Sequence, residues 1–465
     1  MLDLIIKNGE VVSVDATLKM DVGIKDGKVI LLGKAEDMPK TVRVIDATGK
    51  YVIPGGIDTH THFQLPFMGT ATKDSFFEGT RAAAYGGTTT CIDFAIQEKG
   101  KLPMEAIQAR MVQAKDSVVD YAFHSVITDA YPEAIANIKD LIEFGVPSFK
   151  CFMIYRKDGL MADDAVVLAA MEQTKKYNGI FGAHAESAAM LEYNVEKAVK
   201  EGHHEAIWHA LTKPPLVESE AINRALYLAA AADAAYYNFH TACKEGVEMI
   251  AEARAKGRPV YAETCTHYLS ITKDVLEGPD GINYICSPAL RDQEHIDALW
   301  KGIQDGTVVT IGSDEAAFDT KQKMIAGGSF EKVPNGMPGV EFRMPIVFSE
   351  GVSKGKISVN QYVAVTSTNA AKIHGIFPQK GIISIGSDAD IVLIDPNMEK
   401  TITPDDFKID IDWNPYNGMK AKGWPIMTIS KGKVIVEDNK FLGNAKDGSF
   451  LKRKLSPNAN TNPVV

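Results

Sequence analysis

The chain reads as an α/β protein, a (β/α)8 barrel carrying a small β-sandwich built from both termini. Three observations lead there. Between residues 53 and 378, β-rich runs and alanine-rich amphipathic stretches alternate through eight repeats, as a parallel barrel sheathed in helices requires. The segments before and after carry short strands and tight turns, and neither is long enough for a confident core of its own. Side chains suited to metal binding and proton transfer fall at the strand ends, on the rim where this fold keeps its chemistry. The expected division is 1–52 for the first part of the sandwich, 53–378 for the barrel, and 379–465 for the second part with a C-terminal arm and tail.

Residues 1–52 hold two hairpin signals, Asn8-Gly9 and Asp26-Gly27, flanked by Leu4-Ile5-Ile6, Val11-Val12 and Val29-Ile30-Leu31-Leu32. From Ile57 the residues alternate through His62, as in a short strand leaving a buried sheet. Period two puts His60 and His62 on one side, where two imidazoles can share a cation. Eight candidate strands end near His62, Ala95, Thr128, Tyr155, Glu186, Ala242, Cys265 and Glu315. Between them, segments such as 104–114, 163–177, 221–235 and 246–255 space their apolar residues for helix. Past the barrel, 389–394 and 428–436 return to the β style of the start. One shared sandwich is more economical than two unrelated appendages. Residues 456–465 read as a loose tail.

With 50 basic against 60 acidic residues, the net charge is −10 and the pI near 5.6. That balance favours solubility and argues against a nucleic-acid or anionic-membrane surface. The opening residues carry an acid and soon turn, unlike a secretory signal. The longest small-apolar run, 228–232, stops at Asp233, far short of a membrane span. Cys91, Cys151, Cys243, Cys265 and Cys286 are odd in number and lack Cys-x-x-Cys spacing, so no disulfide framework or thiolate zinc site is indicated. The expected compartment is cytoplasmic.

Six side chains stand out at the rim. His60 and His62 close the first strand, Lys150 lies on the fourth, His184 on the fifth, His240 on the sixth and Asp314 on the eighth. Each has a plainer reading alone. A strand-end histidine is commonly a hydrogen-bonded core residue, and Asp314 after Gly-Ser is placed to cap a helix. A buried lysine needs a partner, and Asp93 or Glu186 are the candidates for Lys150. All six at rim positions together favour one shared centre. His203, His204 and His209 fall in a charged helical stretch and read as solvated or capping. His124 reads as core or as support for the site.

Longer motifs carry a resemblance. Residues 54–62 (Pro-Gly-Gly-Ile-Asp-Thr-His-Thr-His), Gly86-Gly87-Thr88-Thr89-Thr90, Ser148-Phe149-Lys150, His184-Ala185-Glu186, Gly312-Ser313-Asp314, Pro334-Asn335-Gly336 and 386–390 (Gly-Ser-Asp-Ala-Asp) are spread over nearly the whole chain. With them the chain resembles the cyclic amidohydrolases, most closely the dihydropyrimidinase and D-hydantoinase branch. The resemblance implies a two-zinc centre held by His60, His62, Lys150, His184, His240 and Asp314, with Lys150 carboxylated on its amine to bridge the metals. It implies that Tyr155 and the backbones of Ser287 and Asn335 hold substrate. Phe63, Leu65 and Phe67 resemble a loop that receives the ring substituent. A homotetramer is expected, or a homodimer, through a C-terminal arm from about Asp410 that includes Trp413, Tyr416 and Lys452-Arg453-Lys454. Phe63 replaces the arginine of the dihydroorotase pattern. Glu315, His267 and Ser187 depart from the hydantoinase pattern, and Glu315 is expected to make the rim more negative.

The chemistry is coherent with these groups. Two divalent cations bring four positive charges, Asp314 offsets one, and an ammonium would be repelled. A lysine carbamate adds negative charge and two oxygens. Imidazole and oxygen ligands without thiolate suit zinc, with manganese, cobalt or nickel admissible. The expected reaction is attack by a metal-bridging hydroxide on a cyclic amide, opening hydantoins or dihydropyrimidines to N-carbamoyl amino acids. Asp314 serves as base and then acid, and Tyr155 stabilises the oxyanion. The competing readings are an allantoinase-like hydrolase and a non-catalytic scaffold of the same fold.

Overall fold

The computed structural model describes residues 1–325 and 327–456. Eight strands follow one another around a barrel: Gly56–Thr61, Thr88–Ile96, Asp120–Val126, Ser148–Phe152, Ile180–His184, Tyr236–Asn238, Val260–Cys265 and Val308–Gly312. Each pairs in parallel with the next. Nearly every residue in them is buried, as expected of a parallel sheet covered on both faces. Outer helices cover them, among them Pro103–Gln113, Asp164–Lys176, Pro215–Ala231 and Lys244–Ala255. Local chemistry sets their limits. Asp163 caps the second of these through Val166 N, and Gly145, at φ 114°, ends the helix Pro132–Phe144 in a left-handed turn. Ile107, Leu141, Val167, Ile222, Ile250 and Leu299 bury the helices' apolar faces in a common core.

The ring is joined between its first and eighth strands by irregular contacts. Ser313 N donates to Asp58 Oδ1 at 3.0 Å, and His62 N donates to Glu315 O at 2.8 Å. The other Asp58 oxygen lies 3.5 Å from Arg343 Nε, and Arg343 Nη1 also donates to Ile311 O at 2.9 Å. A fully buried ion pair therefore braces the seam on which His60, His62 and Asp314 sit.

The sandwich has two sheets. One takes all its strands from the N-terminus: Lys28–Gly33, Asp21–Lys25, Leu2–Lys7 and Thr41–Asp46. The other joins the chain's ends, with Tyr51–Pro54 antiparallel to Ile391–Thr401 and Val52 opposite Leu393. Leu4, Ile6, Val22 and Ile24 pack with Ile391, Leu393 and Ile429. Where sandwich meets barrel, the buried Lys380 reaches Asp120 at 2.7 Å, Asp388 at 3.0 Å and Asp390 at 2.5 Å.

The expected arm residues are largely spent inside the subunit. Tyr416 is buried with its ring 5.8 Å from Phe342, and Trp413 Nε1 donates to Phe318 O at 2.8 Å. Lys452-Arg453-Lys454 is not a single basic patch, because Arg453 is buried and donates to Ser148 Oγ at 2.8 Å. The expected tail lies, from residue 457, outside the described residues. Among the described residues no helix is long and apolar enough to cross a membrane.

Candidate metal centre

The C-terminal mouth of the barrel brings the six rim residues together. His60 Nε2 lies 3.1 Å from Asp314 Oδ1, and His62 Nε2 lies 3.3 Å from the same oxygen. The His60 ring centroid is 5.1 Å from those of His62 and His240, and the His240 ring is 4.4 Å from His184. Lys150 Nζ sits 3.1 Å from His60 Nε2. His240 and Asp314 stand two residues past the ends of their strands, not within them. Their φ angles of 37° and 51°, with 62° at Tyr155, are left-handed. Such backbone costs on the order of 1–3 kcal/mol per residue and gathers at functional sites.

Lys150 is the informative residue. It is fully buried, and its hydrogen-bond neighbour is an imidazole nitrogen, not a carboxylate. The faces of Phe94, Phe239 and Phe152 make up much of its remaining shell, at 4.2, 4.9 and 5.3 Å. Burial pulls its pKa down to about 8 against the opposing pull of Asp314 and Glu263. The expected carboxylate partners are engaged elsewhere. Asp93 pairs with Arg110, and Glu186 accepts from His184 Nε2 at 2.7 Å and lies 3.6 Å from Lys213.

Two of the imidazoles are oriented from behind. His60 Nδ1 is 2.6 Å from Glu263 Oε1, and His184 Nε2 bonds Glu186 as above. A histidine pinned to a buried carboxylate through one nitrogen presents the other as a lone pair, the arrangement common behind metal ligands. Sequence reasoning missed Glu263. It stands alone as a carboxylate in the buried strand Val260–Cys265 and also accepts from the Thr59 and Tyr237 hydroxyls and His240 N. That isolation was the available signal. Burial lowers the pKa of His60, His184 and His240, with Lys150 adding repulsion, so these rings are neutral at pH 7. Asp314, despite burial, is held well below the usual carboxylate range by His60 and His62. The set fits a cation: His60, His62 and Asp314 offer ligand atoms within 4.8 Å of one another, and the buried Nδ1 atoms of His62 and His240 have no hydrogen-bond partner.

The cavity at this cluster is lined by His62, Lys150, His184, His240 and Asp314, and by Tyr155, Ser287 and Asn335. Burial keeps the Tyr155 hydroxyl protonated. Leu65 and Phe67 line the cavity, and the Phe67 ring is 5.3 Å from Tyr155. Phe63 does not. It is fully buried against Phe76, its ring 5.4 Å away, in the turn that follows the strand Gly56–Thr61.

Other expectations also need correction. Glu315 does not make the rim more negative. It turns inward to accept from Gly339 N and Val340 N, both at 2.7 Å, and burial raises its pKa to about 8. His209 is neither solvated nor a cap; it is buried, with Nε2 2.7 Å from Cys286 O. His203 stacks on Trp208 at 3.6 Å, and His204 Nδ1 is 2.8 Å from Ser329 Oγ. His124 supports the site from below, with Nε2 3.0 Å from Thr59 O and Nδ1 2.7 Å from Ser148 Oγ.

Known proteins share this arrangement's whole frame. Residues 51–435 match the model of the amidohydrolase family. A D-hydantoinase of Geobacillus stearothermophilus is 42% identical over 97% of this chain and 96% of its own. A dihydropyrimidinase of Rattus norvegicus is 38% identical over 97% of this chain and 89% of its own. The crystal structure of dihydropyrimidinase from Brevibacillus agri NCHU1002 superimposes with a TM-score of 0.95 at 43% identity, covering 98% of this chain and 99% of that one. The chain belongs to the amidohydrolase family, in the branch of cyclic amidohydrolases that holds the hydantoinases and dihydropyrimidinases.

Proposed function

We propose that this enzyme opens the amide bond of five- or six-membered cyclic ureides and imides, hydantoins or dihydropyrimidines, releasing N-carbamoyl amino acids. The observation that carries the reading is Lys150: a buried amine 3.1 Å from His60 Nε2, with no carboxylate bonded to it among the described residues, in a mouth shared with the neutral rings of His60, His184 and His240. A core built for stability alone would pair that lysine or replace it. His60, His62, His184, His240, Asp314 and a carboxylated Lys150 would hold two divalent cations, zinc by donor type. When bound, the cations supply a nucleophile by lowering the pKa of water to about 7, and they polarise the scissile carbonyl.

The chain's own groups do the rest. Asp314, ionised at pH 7, takes the proton of the attacking water and returns it to the departing ring nitrogen. The Tyr155 hydroxyl, kept protonated by burial, donates to the developing oxyanion. Ser287 and Asn335 orient the ring through their backbones, and Leu65 and Phe67 flank its substituent. We also propose the division 1–52, 53–378 and 379–465, a homotetramer and a cytoplasmic location.

Elemental analysis combined with a substrate panel tests the reading. Two zinc per chain, the added mass of one CO2 per chain in native mass spectrometry, and turnover of dihydrouracil or a 5-substituted hydantoin are expected. Turnover of allantoin alone would transfer the protein to another ring chemistry, and a metal-free inert chain would reject catalysis.

A further inference from the structure

We propose that Lys323 is a positioning residue for the substrate clamp, tying the segments that carry Ser287 and Asn335 into one unit through three backbone carbonyls. The inference rests on the reading of Ser287 and Asn335 as substrate holders. Lys323 ends the short helix Thr320–Lys323, which opens with an Asp319–Gln322 capping box. Its side chain is fully buried. Nζ donates to Ile285 O at 2.8 Å, Pro334 O at 2.8 Å and Gly336 O at 2.6 Å. An ammonium has three donors and no acceptor, and here each donor meets one carbonyl oxygen.

The three carbonyls are not scattered. Ile285 stands two residues before Ser287, and Pro334 and Gly336 bracket Asn335. Gly336 N also donates to Ile285 O at 3.0 Å, so the same two segments are joined directly as well. Ser287 and Asn335 line the same cavity as Tyr155. Gly336, at φ 148°, lets the clamp lie against Ala316; a Cβ there would come within 2.6 Å of the Ala316 Cβ. Ala316 is two residues beyond Asp314, so the clamp is referenced to the proton-transfer carboxylate.

Among the described residues no carboxylate pairs with Lys323; the Phe318 ring lies 5.8 Å from Nζ. Burial pushes its pKa down to about 7. The carbonyls oppose that, because a neutral amine offers only two N–H groups to three oxygens. Burying a cation without a counter-charge is costly, and the compensation here is geometric. Arginine would not substitute, since its planar fork cannot address three oxygens around a tetrahedral centre.

Hydrogen exchange on the full-length, metal-loaded Lys323→Met variant tests this. Amides of 284–287 and 335–337 should exchange together ~10-fold faster or more, while those of Val308–Gly312 stay protected. KM for dihydrouracil or hydantoin should rise more than kcat falls, with metal content unchanged. Lys323→Gln, which keeps two donors, should fall between and serves if the methionine variant does not fold. Unchanged exchange in either segment overturns the clamp, and so does loosening without a KM shift. If the wild type opens no cyclic ureide, the functional reading fails while the exchange pattern still decides whether Lys323 holds the two segments together.

Discussion

Two buried lysines in this molecule have opposite surroundings. Lys380, where the sandwich meets the barrel, is met by three carboxylates, Asp120, Asp388 and Asp390, which raise its pKa against the effect of burial. Lys150, at the barrel mouth, has an imidazole and three phenyl faces, and burial lowers its pKa to about 8. The first is locked as an ammonium and holds two domains together. The second still carries its proton for the most part at pH 7, but far more of it is free amine, the form that can react, than in a lysine of ordinary pKa. Burial is common to both, and what fills the rest of the shell sets them apart: carboxylates at Lys380, an imidazole and aromatic faces at Lys150.

Replacing each lysine by methionine tests that contrast. Lys150→Met should abolish cyclic amide hydrolysis by ~10³-fold or more and reduce bound metal below two per chain, while thermal unfolding moves little. A variant that keeps both metals and its turnover would remove Lys150 from the centre. Lys380→Met should do the reverse, costing about 3–5 kcal/mol of stability by leaving buried carboxylates uncompensated, with kcat of the folded enzyme intact.

The pH dependence sharpens the junction's side of the comparison. Asp120 and Asp388 are held below their usual 3.8: burial pushes each up, and Lys380, joined by Lys431 at Asp120 and by Lys28 at Asp388, outweighs it. Their contribution is therefore present above that value and is lost as pH falls below it. The Lys380 contribution is fully present below 10.5 and fades only as pH rises through its higher folded value. In Lys380→Met the sign for the carboxylates reverses, because crowding without the ammonium raises their folded pKa. Its deficit against the wild type should shrink between pH 7 and 4.5 in denaturant titrations, although Lys431 and Lys28 still neutralise part of the cluster. A constant deficit would mean that the junction is held by packing rather than charge.

Legibility in the chain tracks the range of the interactions. Period-two alternation, turn dipeptides and helical spacing are local, and they mark the strands, the outer helices and the positions of His60, His62, Lys150 and His184. Residues whose role depends on ring closure were not legible as partners. Asp58 and Arg343 are 285 positions apart in the numbering (343 − 58) and meet only because the eighth strand returns to the first. Glu263 reaches His60 for the same reason. Lys380 gave no local sign, since its carboxylates come from the third barrel strand and the segment entering the sandwich. Phe63 depends on the same long-range packing: the turn after the first strand sets it against Phe76 rather than toward the cavity.

The smallest of the expected effects lies in the same loop. Phe63 and Phe67 are four residues apart, one fully buried and one lining the cavity beside Tyr155. Phe67→Ala should leave stability nearly unchanged, because its ring is only partly buried, and should act on substrate choice. Removing a wall that contacts the ring substituent is expected to change the preference between a bulky 5-substituted hydantoin and unsubstituted dihydrouracil by up to about tenfold, the usual scale for one apolar contact in a pocket. Phe63→Ala should leave that ratio alone and lower stability by about 3–5 kcal/mol, the cost of a cavity against Phe76. Ratios of kcat/KM for the two rings, measured on both variants beside denaturant midpoints, distinguish the roles. A preference that shifts with Phe63 and not with Phe67 would mean the loop turns over when substrate binds.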